Sequence, residues 1–183
     1  IPARPDFRAG LLGAVIAGAL FVGVQINHPP LDLALVASPE WTVRQSLKIV
    51  LAVLSLAGIT AMYLTQVKRN GVLGLVGYLL FGAGYLAMLT IEVAALVVLP
   101  VIAATSPGYV SDVLAGAMGR PAVGSVGLMV QLSLVSGVGY MVGGLVFGVA
   151  LVRAGVLSRW ASVLLAVATT ATMAIPLLPM INQ

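Results

Sequence analysis

GVLGLVGYLLFGAGYLAMLTIEVAALVVLPV, residues 71–101, decides the fold class. It is apolar almost from end to end and carries one charged side chain, Glu92. A hydrocarbon core of about 30 Å is crossed by roughly 20 helical residues, so this run can span a bilayer and still leave length for tilt. Four more runs have the same character, and the spacing predicts helices over 9–26, 46–66, 71–101, 123–152 and 161–178. The expected fold is all-α: a polytopic transmembrane bundle of about five membrane-spanning helices, forming a single domain over 1–183.

Composition agrees with this reading. Hydrophobic residues make up 61% of the chain and charged residues 8%, against about a quarter charged in a soluble domain. So few polar groups could not cover the surface of a soluble fold of this length. There is no cysteine and only one histidine, His28. Disulfides, thiolate metal sites, cysteine nucleophiles and multi-histidine sites are therefore excluded within one chain; no metal is expected, and the sequence assigns no cofactor. The net charge of +4 comes from short basic clusters beside apolar runs, the pattern of orientation signals rather than of nucleic-acid binding. The first run follows Arg4 and Arg8 as a secretion signal would, but it is long enough to span, and a retained helix is expected.

The basic residues set an expected orientation. With the N-terminus inside, the inner segments hold Arg4, Arg8, Lys68, Arg69, Arg153 and Arg159, and the outer ones Arg44, Lys48 and Arg120. Six against three obeys the positive-inside rule and puts Gln183 outside. The longer connections then lie outside. Residues 27–45 contain Pro29, Pro30 and Pro39, and Trp41 there suits an interfacial anchor. Residues 104–122 contain Pro107, Gly108 and Pro121, with a short surface helix expected over 109–118. The inner turns Arg69-Asn70-Gly71-Val72-Leu73 and Arg153-Ala154-Gly155-Val156-Leu157 parallel each other. They fit either a duplicated helical hairpin or ordinary turn punctuation. Gly139 and Gly143, and likewise Gly144 and Gly148, are four apart, which suits close helix contact on two faces of the fourth helix. A homodimer seam is the alternative use of those glycines.

Glu92 is the most informative residue, because an ionisable group inside a span faces the bundle interior and is functional by default. At steps of three or four it shares a stripe with Met88, Tyr85, Phe81 and Tyr78. This stripe is either a cavity wall or a packed interior face. Lys48, one turn inside the second helix, falls at a similar depth, on a face shared with Gln45, Ala52, Ser55 and Met62. A Lys48–Glu92 ion pair would neutralise both charges; alternatively Lys48 snorkels to the interface. Gln25, Asn27 and His28 close the first helix at the same end, and Gln131 enters the fourth from it. The expected ligand-binding set is Glu92, Lys48, Gln25, His28, Gln131, Tyr85 and Tyr78. No phosphate-binding loop, nucleophile elbow or paired metal-ligand acids occur, and no catalytic residue is assigned.

The stretch from Asn27-His28-Pro29-Pro30 through Trp41, Arg44 and Lys48 to Lys68-Arg69-Asn70-Gly71, with the later Arg153-Ala154-Gly155-Val156-Leu157-Ser158-Arg159-Trp160, resembles small polytopic proteins of high-GC bacteria that carry a domain of unknown function. The resemblance implies a bacterial plasma membrane and no particular activity. Three functions follow as expectations, in this order: binding or carrying a small amphiphile or lipid in an outer-half pocket around Glu92; serving as an accessory subunit, in a homo-oligomer or against a membrane-complex partner; and membrane-embedded catalysis with Glu92 as acid or base. Beyond the lipid bilayer and such partners, no nucleic acid is expected to bind.

Overall fold

The computed structural model describes residues 5–25 and 29–171. Among them the chain is helical, with no strand, in the order α1 (Pro5–Gln25), α2 (Leu33–Val36), α3 (Pro39–Thr65), α4 (Val67–Val97), α5 (Leu99–Ile102), α6 (Pro107–Ala117), α7 (Met129–Ala154) and α8 (Arg159–Ala171). Three of these, α3, α4 and α7, are long and apolar enough to cross a membrane. The apolar stretches of α1 and α8 within the described residues, Leu12–Val24 and Arg159–Ala171, are shorter. The end of the helix expected over 161–178 lies outside the described residues.

The helix boundaries follow from local chemistry. Expected from residue 46, α3 begins at Pro39, because the Ser38 side chain accepts the Trp41 N–H at 3.3 Å and Pro39 occupies the first turn, where a missing N–H does no harm. Within α4, Gly71 leaves helical geometry (φ 56°, ψ −162°), a conformation open to glycine, so the long apolar helix starts there. The run expected from residue 123 becomes helix only at Met129. Gly119 and Gly127 adopt positive φ, and Asp112 holds the intervening loop by accepting the N–H groups of Val123 and Gly124 at 2.9 and 2.8 Å. Gly155, at φ 65°, ends α7 in the left-handed conformation.

The long helices pack in the order α1, α3, α4, α7, α8, each antiparallel to the next. Glycine sets the closest approach, between α4 and α7. A Cβ on Gly77 would stand 2.5 Å from the Phe147 nitrogen, one on Gly84 2.5 Å from the Tyr140 nitrogen, and one on Gly139 2.8 Å from the Gly84 Cα. Backbone therefore lies on backbone, the contact that drives helix association in lipid, where hydrophobic burial drives nothing. The second glycine pair faces the other way: Gly144 abuts Thr169 and Gly148 abuts Ala166, both on α8. Thus α7 is packed on two faces within the chain. The outward face of α4 is apolar, with Val72, Leu79, Leu86 and Val93, seven residues apart, all exposed, as a helix against lipid requires.

One end of the bundle carries a cap. Both long connections meet there: α2, α5 and α6 close over the ends of α3 and α4 around buried Val36, Trp41, Leu99, Val110 and Leu114. The helix expected over 109–118 appears as α6. Trp41 differs from expectation. It is 4% exposed, and its indole N–H donates to the Ala95 carbonyl at 2.8 Å, so it ties α3 to α4 rather than anchoring at an interface.

Candidate functional site

The α3–α4 seam concentrates the polar side chains that meet across the bundle. The two helices run antiparallel in a register where residue numbers of facing positions sum to about 140: Lys48 with Glu92, Ser55 with Tyr85, Thr60 with Tyr78 and Tyr63 with Tyr78. Faces repeat every three or four residues on each helix, so one register brings all these groups into line.

At the capped end, Glu92 is held from two sides. Gln45 Nε2 donates to Glu92 Oε2 at 2.6 Å, and Lys48 Nζ stands 3.7 Å from Oε1. The side chains of Lys48 and Glu92 are 25% and 14% exposed, so the pair is sheltered but can be reached. The bond from Gln45 is short, as bonds to a charged acceptor are, and it leaves the longer Lys48 contact with donor capacity to spare. One turn earlier on α3, Arg44 bonds Glu40 through Nε at 2.8 Å and donates to the Val24 carbonyl at 2.8 Å, which ties down the end of α1.

Deeper in the bundle the stripe becomes a wall. Phe81 packs edge-on to Tyr85, with ring centres 5.2 Å apart, and Tyr85 meets Tyr140 of α7 at 5.7 Å. Tyr63 stacks on Tyr78 at 4.5 Å, and the Tyr78 and Thr60 hydroxyls share a 3.2 Å hydrogen bond. Against this wall lies a hollow of about 250 Å³, bounded by all five long helices. Its floor is Ser55, Ile59, Phe81, Tyr85 and Tyr140: apolar walls bearing three hydroxyls. Glu92 lies seven residues along α4 from Tyr85, about 10 Å at 1.5 Å per residue, so the carboxylate sits beyond one end of the hollow and does not line it. That distance also rules out direct proton exchange between the two groups.

The expected site residues divide accordingly. Glu92 and Lys48 meet, Tyr85 lines the hollow, and Tyr78 lies just behind it. Gln131 does not join them: it stands in the first turn of α7 with its side chain exposed, and the partners of Glu92 are Gln45 and Lys48. Gln25 ends α1, while Asn27 and His28 lie outside the described residues. Two features went unread in the sequence. Gln45 is the nearer partner of Glu92; its place one turn before Lys48 on the same face was the available signal. Tyr140 contributes a hydroxyl from α7, a helix whose sequence draws attention to its glycines and Gln131 instead.

A second polar feature lies at the opposite end of the seam. Gln66 and Asn70 are 2% and 5% exposed. Among the described residues, both side-chain polar atoms of Gln66, and Oδ1 of Asn70, have no hydrogen-bond partner, although Asn70 Nδ2 donates to the Tyr63 carbonyl at 3.3 Å. Among the described residues, no group of three or more histidine, cysteine or acidic side chains is gathered as a metal site. Comparison with known proteins finds no matching family model, no matching curated protein and no matching solved structure.

Proposed function

We propose that this protein binds a small lipid or amphiphile within the bilayer, with the tail in the hollow and the polar head toward Glu92, Gln45 and Lys48. The observation that carries the reading is the hollow itself. Apolar cavities of about 150 Å³ already take up benzene. A hollow of about 250 Å³ suits one hydrocarbon chain, and the hydroxyls of Ser55, Tyr85 and Tyr140 supply a few polar contacts, as small-molecule sites commonly do. In this reading α1 and α8 also cross the membrane, giving five spans. The turns bearing Lys68, Arg69, Arg153 and Arg159 face the cytoplasm of a bacterial cell, and the cap faces outward. The accessory-subunit reading draws less support, because the α7 glycines that would make a seam between chains are taken up by α4 and α8.

Photolabelling tests the proposal. A monoacylglycerol with a tail diazirine, incorporated in phosphatidylcholine nanodiscs with the protein, is expected to label the hollow saturably, at residues such as Phe81, Tyr85 and Leu165. Ala17→Phe, which fills the hollow, should abolish that labelling. Label confined to outward positions such as Leu79 and Leu86, unaffected by competitor or by Ala17→Phe, would show that the hollow is not a binding site.

A further inference from the structure

We infer that the ligand enters sideways from the lipid, between α1 and α8, and is a single-chain amphiphile with no net charge. This inference rests on the binding role proposed above and adds the route and the ligand class.

Among the described residues the five longer helices form an open arc. Successive helices pack as pairs from α1 through α3, α4 and α7 to α8, so α1 and α8 are its two ends. The hollow is bounded by both. Of its lining on α3 and α4, Leu51, Ser55, Ile59 and Phe81 are buried and no residue is exposed, whereas its exposed lining residues, Gly18 and Phe21 of α1 and Ala168 of α8, all belong to the arc's ends. The mouth therefore lies between α1 and α8. Its surroundings are exposed and apolar: Val15 and Val22 on α1, Leu164 and Val167 on α8. Such a face meets lipid rather than water. The capped end is shut by a separate cluster in which Val36, Leu99 and Val110 are at most 2% exposed. A solute arriving from water would have to part that cluster, while one dissolved in the bilayer would not.

Size and charge narrow the ligand. The volume of about 250 Å³ suits one hydrocarbon chain and is too small to enclose both chains of a phospholipid. The rim offers no charged side chain to draw a charged head through the lipid, where a bare charge is costly. Beyond the hollow the head would meet Glu92 and Lys48, which offset each other, and the carboxamide of Gln45. A hydroxyl or amide head can both donate to the carboxylate and accept from the ammonium. A long-chain alcohol or a monoacylglycerol has this chemistry.

The chain contains no cysteine, so the mouth can be closed chemically. In Gly18→Cys/Ala168→Cys the first substitution points into open space. A short cleavable bis-thiosulfonate bridging the pair in phosphatidylcholine vesicles is expected to slow uptake of the diazirine monoacylglycerol by about tenfold or more, with recovery on reduction, as closing a lid does. Bridging the cap instead, in Ala37→Cys/Ser111→Cys, should leave uptake unchanged. Phe21→Ala, which widens the mouth without a bridge, should speed uptake and keeps the test alive should the double variant misfold. Slowing by the cap bridge and not by the mouth bridge, or no gain in Phe21→Ala, would overturn lateral entry while binding stands. A charged single-chain analogue that loads as well as the neutral one would overturn the ligand class alone. No saturable uptake by the unmodified protein would overturn the binding role, and the route with it.

Discussion

Removing Glu92 and Lys48 together is expected to harm the protein less than the two separate losses imply. At 3.7 Å, opposite unit charges attract by about 4.5 kcal/mol at an effective dielectric constant near 20. Drawing both ions out of water offsets most of that. Polar pairs inside membrane proteins couple by about 0.6 kcal/mol on average and by about 1.7 at most. Charge at both ends and the sheltered position of Glu92 put this pair near the upper part of that range, at about 1 to 1.5 kcal/mol. The variants separate the partners cleanly. Glu92→Gln keeps an oxygen to accept the Gln45 bond but leaves Lys48 an uncompensated cation. Lys48→Met leaves the carboxylate with Gln45 alone. The double variant has neither stranded charge and retains a neutral Gln45–Gln hydrogen bond. Chemical unfolding in mixed micelles, run as a double-mutant cycle, reads the coupling directly. Strict additivity would refute the reasoning, because it would mean that the 3.7 Å contact contributes nothing beyond two independent side chains.

Gly143→Leu sets a side chain on the Phe81 backbone and should destabilise by about 3 kcal/mol or more, beyond the usual range for an overpacked core; Val142→Leu, at a position 45% exposed, should unfold like the unmodified protein. Trp41→Phe loses the donor to the Ala95 carbonyl and part of a buried ring system, and a loss of about 1 kcal/mol or more is expected in the same unfolding assay. Gln66→Leu replaces a carboxamide that has no partner among the described residues with an apolar group of similar size; it should raise stability by about 1 kcal/mol or more, and a fall would mean that Gln66 is hydrogen-bonded to water, a ligand or another part of the chain. Cysteines at Ala37 and Ser111 should react with an impermeant thiol reagent on intact cells, while cysteines at Lys68 and Val156 should not; labelling at Lys68 would reverse the proposed orientation.

The sequence announces lipid through composition, and it announces depth through arithmetic along a helix. Those two facts sufficed to bring Glu92 and Lys48 to one level. They did not suffice to choose partners at that level. Gln45 and Gln131 look alike on depth alone, yet Gln45 lies on the α3 face turned toward α4 and Gln131 on an exposed face of α7. Which face a residue occupies depends on helix rotation, and in lipid rotation is fixed by where small residues let backbones touch. The glycines of α7 were legible, but their partners on α4, Gly77 and Gly84, were not distinguishable from Gly82, which meets nothing within 4 Å. Trp41 misled for a related reason. An aromatic residue near a span's end has two physically sound uses, interfacial anchor and buried strut, and the choice was made by distant residues, Val110 and Leu114, folding over it. The apolar run after residue 123 misled because apolarity alone does not hold a helix where glycines adopt positive φ.

The same packing rule separates the parts of the bundle that can move from those that cannot. Between α4 and α7 the backbones touch at several glycines on both helices, so sliding or parting them would lose contacts along their whole length. Helices α1 and α8 each hold the bundle by one face. Contact on α1 involves Gly10 and Ala14 against Ala61 and Gly58, and the exposed sides of Gly18 and Gly23 meet nothing within 4 Å. An element packed on one side has fewer contacts to lose on displacement, and low local contact density is where low-energy opening concentrates. The hollow is therefore built from a fixed floor, Phe81, Tyr85 and Tyr140 on the glycine-locked pair, and from two walls that can yield. Such a division suits the proposed entry of a chain from the bilayer, which would leave the Gln45–Glu92–Lys48 cluster undisturbed beyond the end of the hollow. That cluster is bonded across α3 and α4, so a wall can swing while the polar end keeps its geometry.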